Sequence, residues 1–553
     1  MTAITDAEGN DYGVTYEGEK AVRFTKPDGE YQQITYGDGT TMVSLHKSDG
    51  TKISEDSMTY EKNSGKLLSS TNGNGVKTTY QYENTENPLL QTGTETTVCY
   101  QTLENNQVNF KNDVKVTTTT SYDSNENVVE EVDETGQVTS TTYGTGKEFS
   151  LAQTEVIKNS EGETTSDTTY DYDDHGNTIL EYEDIGDSRT EYTYDEDGEV
   201  KEEQSYENVK SEGDAGVLTS EQTTQKEEAD HKVSETLTST QGEVTQEDTT
   251  SYDAMGREVS STDQNTGEVT TITYDFMGRA VKTERSLKDQ EGKDIVQTEI
   301  KSYNANGSVT SETSSAGVTI KYTYDNRNRV TTTKEEADNK TKTTETSYGY
   351  ETAVIHTLTG TKTYKDLQVQ TTRVNGTVTD KTWTEHAGNT VRTLNSGIYT
   401  DHVFTEDGKE IAAVTLGSST DGEGKISLTL YNKEGKTTHT ISQPVVDGDS
   451  ITTGKDTIIN ETAYDVNGNE SAVTDGNGNV TTYTYDDQNR VTGVSRKNGN
   501  ETISNSISYD MGTDGKTTTS VKDANGHVNK EVTNEAGLTE STDRKSTRLN
   551  SSH

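Results

Sequence analysis

A tyrosine–aspartate pair followed by a glycine recurs along this chain at a fixed spacing. That period constrains the fold more than any other feature of the sequence. The clearest copies are Tyr172-Asp173 with Gly176, Tyr194-Asp195 with Gly198, Tyr252-Asp253 with Gly256-Arg257, Tyr274-Asp275 with Gly278-Arg279, and Tyr464-Asp465 with Gly468. Softer versions run from Tyr303-Asn304 to Gly307 and from Tyr324-Asp325 to Arg329, and Tyr483–Val494, with Tyr485-Asp486 and Arg490, is the stretch of which the others are copies. Tyr172 to Tyr194 and Tyr252 to Tyr274 are 22 residues apart, and Tyr303 to Tyr324 and Tyr464 to Tyr485 are 21 apart. A constant period in this range marks one supersecondary unit stacked many times.

A second spacing supports the first. A glycine precedes the aromatic by seven residues in Gly9/Tyr16, Gly29/Tyr36, Gly75/Tyr82, Gly136/Tyr143, Gly267/Tyr274, Gly317/Tyr324 and Gly478/Tyr485. The rule survives where tyrosine is lost, in Gly376/Trp383 and Gly397/Phe404. Two Gly/Asp/Asn-rich turns per period imply two strands per unit. Tyr483 and Tyr485 alternate, so a strand puts both rings on one face. Between Tyr274 and Arg279 the loop suits a type I turn closed by a left-handed glycine, with Arg279 reaching back to Asp275 or to a neighbouring turn.

Composition alone points elsewhere. With 553 residues, 26% hydrophobic and a net charge of −48, the chain falls among disordered sequences. The period argues against that, as do 30 Tyr and only 3 Pro. Tyr buries an apolar face and keeps a hydroxyl for a polar partner, so the expected core is a thin β-layer of rings rather than a thick aliphatic one. Cys99 is the sole cysteine, which rules out an intrachain disulfide. No apolar run is long enough to span a membrane. The charge argues against nucleic acid as a partner.

The chain reads as degenerate repeats over 1–145, well-preserved repeats over 146–345, degenerate repeats over 346–450 and regular repeats over 451–542. Within the second segment, 201–250 is irregular and Glu/Lys-rich; longer, more exposed strands are expected there, with a local helix around Gln225–Val233 as the alternative. Asp543–His553 (DRKSTRLNSSH) breaks the register and reads like a translated sequencing-library adapter, so it is set apart from the fold. The repeats already run at Gly9/Tyr16, so the expectation is an internal piece of a longer protein.

The glycine, the Tyr-Asp seven residues on and the following Gly-Arg-aliphatic resemble the tyrosine–aspartate repeat of the RHS family of bacteria. Gly267…Tyr274-Asp275-Phe276-Met277-Gly278-Arg279-Ala280-Val281 carries the resemblance, as does Gly478…Tyr483-Thr484-Tyr485-Asp486…Asn489-Arg490-Val491. The resemblance implies an all-β repeat protein of stacked antiparallel hairpins winding into a spiral shell. It implies a secreted or cell-wall-associated, non-catalytic protein whose shell, in many members, encloses a C-terminal toxic domain. The partner it implies is the chain's own cargo domain or a cell-surface carbohydrate. The alternative function is a carbohydrate- or receptor-binding surface adhesin.

No catalytic constellation, cofactor or metal is expected. Asp171, Asp173 and Asp174, or Asp195 and Asp197, could supply oxygens to calcium, but neither loop has a calcium-binding pattern and both read better as turns. The histidines have no metalloprotease spacing; His175 and His386 read as solvated turn residues, while His402 flanks Trp383. There is no G-x-S-x-G elbow, and Gly417–Ser427 lacks phosphate-loop spacing. Trp383 is either a tyrosine substitute in the core or a sugar-stacking platform.

Overall fold

The computed structural model describes residues 3–544 except 74, 212, 230–231, 242–243, 289–291, 421–423, 449, 500, 513–515 and 535–538. The described residues are strands joined by turns, with one single-turn 3-10 helix at Gly146–Glu148. Nearly all described strands pair antiparallel with their neighbours in sequence, so the protein is an all-β stack of hairpins; Ser450–Thr452 also pairs with Gln107–Tyr122, and Thr437–Ser442 with Ile458–Tyr464. One period is two strands: Val309–Ser314 and Thr319–Tyr324 make one unit, and Val330–Ala337 opens the next.

The chain divides into two compact units. One comprises residues 1–118, 273–284 and 297–459; the other comprises 119–272, 285–296 and 460–553. In both, the register slips by one residue at the repeat tyrosine: between Thr323 and Tyr324 in the first, and between Thr193 and Tyr194 or Thr484 and Tyr485 in the second. The turn causes the slip. Gly278 N–H donates to Asp275 O (3.0 Å) and Asp275 N–H to Arg279 O (2.9 Å), with Gly278 at φ +82°. A type I turn closed by a left-handed residue adds one residue to one strand, a bulge that increases local twist. The copies without glycine keep this geometry with asparagine, at Asn328 (φ +61°) and Asn489 (φ +58°). Asparagine tolerates the left-handed region better than other side chains.

The first unit holds the aliphatic packing, and it lies where the repeat is most eroded. Leu367, Val369 and Thr371 alternate inward along Thr361–Val374, as do Leu428 and Leu430 along Lys425–Tyr431. One cluster gathers Ile355, Leu367, Val369, Trp383, Val391 and Leu394; another gathers Val108, Leu358, Ile411, Leu428, Leu430, Ile441 and Ile451. Each such side chain contributes roughly 1.5–3 kcal/mol on full burial. The expectation of a uniformly thin aromatic layer is therefore corrected for residues 346–450: Val, Leu and Ile take the inward positions that Thr and Tyr hold elsewhere. Two-residue turns tighten this region, with Asn375-Gly376 and Ser396-Gly397 both left-handed throughout.

In the second unit, Val217–Ala229 and Lys232–Gln241 are long strands paired in continuous register. Gln225–Ala229 is thus strand rather than helix, because its backbone is taken up in the ladder with Lys232–Thr236; residues 230–231 lie outside the described residues. Asp543 and Arg544 pair with Lys530 and Asn529 as the end of strand Thr539–Arg544. The rest of the adapter-like segment, 545–553, lies outside the described residues.

Candidate functional site

The recurring residues build one joint, copied from hairpin to hairpin. At its centre is the turn aspartate. Oδ1 of Asp275 accepts the amides of Met277 (2.9 Å) and Arg279 (3.0 Å), and Oδ2 accepts Arg279 Nε (2.7 Å). Asp253 does the same with Met255 and Arg257, Asp325 with Arg327 and Arg329, and Asp486 with Gln488 and Arg490. Where the last residue is asparagine, its side-chain amide replaces the guanidinium, at Asn177 on Asp173 (2.9 Å) and Asn469 on Asp465 (3.2 Å). Asp195 accepts the amides of Asp197 and Glu199, and Lys226 reaches its Oδ2 at 3.4 Å. An aspartate folding onto amides two and four residues ahead is the side-chain mimic of a backbone turn.

The tyrosine hydroxyl ties each hairpin to the one before it. Tyr324 donates to Val309 O (2.5 Å), Tyr303 to Ala280 O (2.6 Å), Tyr194 to Thr178 O (2.6 Å), and Tyr485 to Glu470 O (2.8 Å). In each case the acceptor lies six residues after the preceding repeat's tyrosine and opens the strand beyond its turn. Tyr324 pairs with Val330 across its own turn, and Val330 O accepts the hydroxyl of Tyr348 (3.1 Å) in turn. Tyr172 departs from the spacing and donates to Ala152 O (2.6 Å). The arginine closes the joint: Arg279 donates to Asn304 O (2.9 Å) and lies 4.8 Å over the Tyr303 ring. Arg329 lies over Tyr348 at 4.1 Å and Arg490 over Tyr509 at 4.7 Å. Arg279 thus meets both expected partners, its own aspartate and the next turn.

Two expectations follow from this joint. Replacing Tyr324 with Phe removes one hydrogen bond and keeps the ring, so the loss should be about 0.5–1.5 kcal/mol. Faster amide exchange confined to Val309–Tyr324 is the reading that checks it. The second concerns pH. Hydrogen bonds from the Arg279 amide, then its guanidinium, hold Asp275 below the usual carboxylate range. The Arg257 side chain does so for Asp253 and the Asn177 amide for Asp173; Asp325 and Asp486 are also lowered, although burial pushes them upward. A group lowered on folding stabilises the fold above its unfolded pKa and loses that contribution as pH falls through the folded one. Burial raises Asp167 and Glu181, which act in the opposite sense. The lowered carboxyls recur at turn after turn, so the melting midpoint followed by circular dichroism should fall on acidification below about pH 4.

Side chains that the motif did not flag form two further clusters in the first unit. Asp401 is fully buried, accepts Arg392 Nη2 (2.8 Å), the His356 amide (2.7 Å) and His356 Nδ1 (2.9 Å), and pairs with Arg392 Nε. Glu30 accepts Tyr350 Oη (2.7 Å) and Lys26 (3.0 Å), and pairs with Arg327. Beside Arg327, an opening of about 410 Å³ is lined by Arg329, Tyr348, Tyr350, Gln368 and Thr382. Trp383 is 5% exposed and donates to Glu351 (2.9 Å). Its place is the core, and its ring faces are not open to a sugar. His386 is half-buried with Nδ1 enclosed, and burial pushes its pKa down, so it is not the solvated turn residue the sequence suggested. His402 bridges Thr393 and Glu410. Among the described residues no group of His, Cys, Asp and Glu is arranged to hold a metal, and the aspartates considered for calcium at 173 and 195 are occupied by their own turns. Burial raises the Cys99 thiol, which disfavours the reactive thiolate.

The RHS Repeat family matches residues 303–341 and 464–501, each spanning complete joints. These segments are RHS repeats. The turns led by Asp173, Asp195, Asp253 and Asp275, which precede the first matched segment, share the aspartate geometry. No curated protein matches the sequence. Among solved structures, the Photorhabdus luminescens Tc holotoxin pore is 13% identical with a TM-score of 0.43, covering 96% of this chain and 29% of that one. The crystal structure of TcdB2-TccC3 without its hypervariable C-terminal region is 12% identical with a TM-score of 0.43, covering 96% of this chain and 30% of that one. The chain therefore spans less than a third of the length of these structures' chains.

Proposed function

We propose that this chain is a non-catalytic structural region of a large, secreted, surface-associated bacterial RHS protein, forming part of a β-wall that encloses a C-terminal cargo domain. The observation that carries this reading is the use of the motif's polar groups. The aspartate carboxylate, the arginine and the tyrosine hydroxyl of the joint all bond within the turn or to the adjacent hairpin. A motif consumed in this way extends a wall and leaves no repeated group poised for catalysis. The net charge of −48 supports solubility and weak nonspecific contact for a large exposed sheet. Reading the coding sequence on both sides of residues 1–542 tests the proposal. A self-cleavage segment followed by a short unrelated domain supports the enclosing wall. A cell-wall anchor without such a domain overturns it in favour of a surface stalk or adhesin.

A further inference from the structure

In each aspartate-led turn most side chains are committed locally. The first residue caps the turn, the fourth supplies the left-handed backbone and the fifth returns to the aspartate. The third residue gives the turn its amide, as at Met277, Arg327 and Gln488, and its side chain can extend outside the turn. In five turns, three led by aspartate and the others by Asn304 and Thr405, that side chain reaches a distant hairpin of the same unit. In the first unit, Asn306 Nδ2 donates to Asp6 Oδ2 (2.9 Å) while its Oδ1 accepts the Glu8 amide (3.1 Å). Arg327 pairs with Asp28 and Glu30, and Asp407 Oδ2 accepts the Cys99 amide (3.0 Å). In the second unit, Asn467 Oδ1 accepts Asn159 Nδ2 (2.7 Å) and Gln488 Nε2 donates to Gly186 O (2.9 Å).

Four side-chain types thus make contacts at nearly one sequence separation, 297–308 residues. Where methionine holds the same position, at Met255 and Met277, the side chain is 78% and 58% exposed. We infer that the third turn residue is the specificity determinant of an intramolecular docking surface, selecting the hairpin about 300 residues away that packs against its turn. The locally bonded positions build the hairpin and the third one chooses its neighbour. The chemistry is complementary at each place: an amide on a carboxylate and an amide, a guanidinium on two carboxylates, a carboxamide on a carbonyl. This inference is independent of whether the wall encloses anything.

Charge exchange on the full chain tests it, read by amide hydrogen exchange. Arg327→Glu sets three carboxylates together and should speed exchange of amides 26–30 by about tenfold or more, the factor that corresponds to about 1.4 kcal/mol. Adding Asp28→Lys, itself a third turn residue, should restore protection. Unchanged exchange in Arg327→Glu, or a double variant no slower than the single, overturns the inference. A milder variant covers the case in which Arg327→Glu unfolds the chain: Gln488→Ala should speed exchange at 184–188 while 484–490 keep their protection, and Met277→Ala should change nothing. Unchanged exchange at 184–188 in Gln488→Ala overturns the inference equally.

Discussion

Asp401→Ala is expected to lower the stability of the first unit by about 3–5 kcal/mol, because it leaves the Arg392 guanidinium buried without its partner. Asp401 is wholly enclosed and Arg392 is 4% exposed, so water cannot replace the lost bonds. The His356 amide loses its acceptor at the same time. Asp401→Asn keeps an acceptor but removes the charge, and its loss should be smaller. The exposed pair of Lys62 with Asp38 is the control, since solvent and side-chain entropy leave such pairs with about 0–1 kcal/mol. Trp383, the chain's single tryptophan, packs beside this network, with Arg392 5.9 Å from its ring. Its fluorescence in a urea titration therefore reports this transition. A midpoint in Asp401→Ala no lower than in Asp38→Ala would show that the buried pair contributes nothing.

The joint was legible in the sequence because its parts are local. Asp275, Gly278 and Arg279 lie within five residues and are joined by hydrogen bonds between near neighbours, so spacing alone carries the turn type and the strand alternation. The glycine-to-aromatic interval likewise located Trp383 and Phe404 where tyrosine is lost. The contacts of Asn306, Arg327 and Gln488 were not legible, since their partners are some 300 residues away and the third turn residue varies in chemistry. Nor was the Arg392–Asp401–His356 network, whose members sit on separate strands without a common interval. The eroded region hid its core for a physical reason. Aliphatic burial is non-directional and needs no fixed polar spacing, so the repeat signature fades where Leu, Ile and Val replace the tyrosine joint.

The same contrast makes the second large effect. Leu428→Ala should destabilise the first unit by about 2–5 kcal/mol, the range for emptying a buried leucine site that relaxes only in part. Leu428 is 1% exposed and packs in a cluster with Ile411, Leu430 and Ile441. Phe276 is the larger and more conspicuous residue in the sequence, inside the best-preserved repeat, yet it is 96% exposed at the turn tip. Phe276→Ser should therefore leave the unfolding midpoint within about 0.5 kcal/mol of the parent, as surface substitutions do. The two variants measured side by side by Trp383 fluorescence weigh the core against the motif. If Phe276→Ser destabilises as much as Leu428→Ala, the turn tip is packed in solution and the aliphatic cluster is not the unit's main source of stability. If Leu428→Ala alone shifts the midpoint, the first unit is held by its eroded segment, and the regular joints chiefly set register.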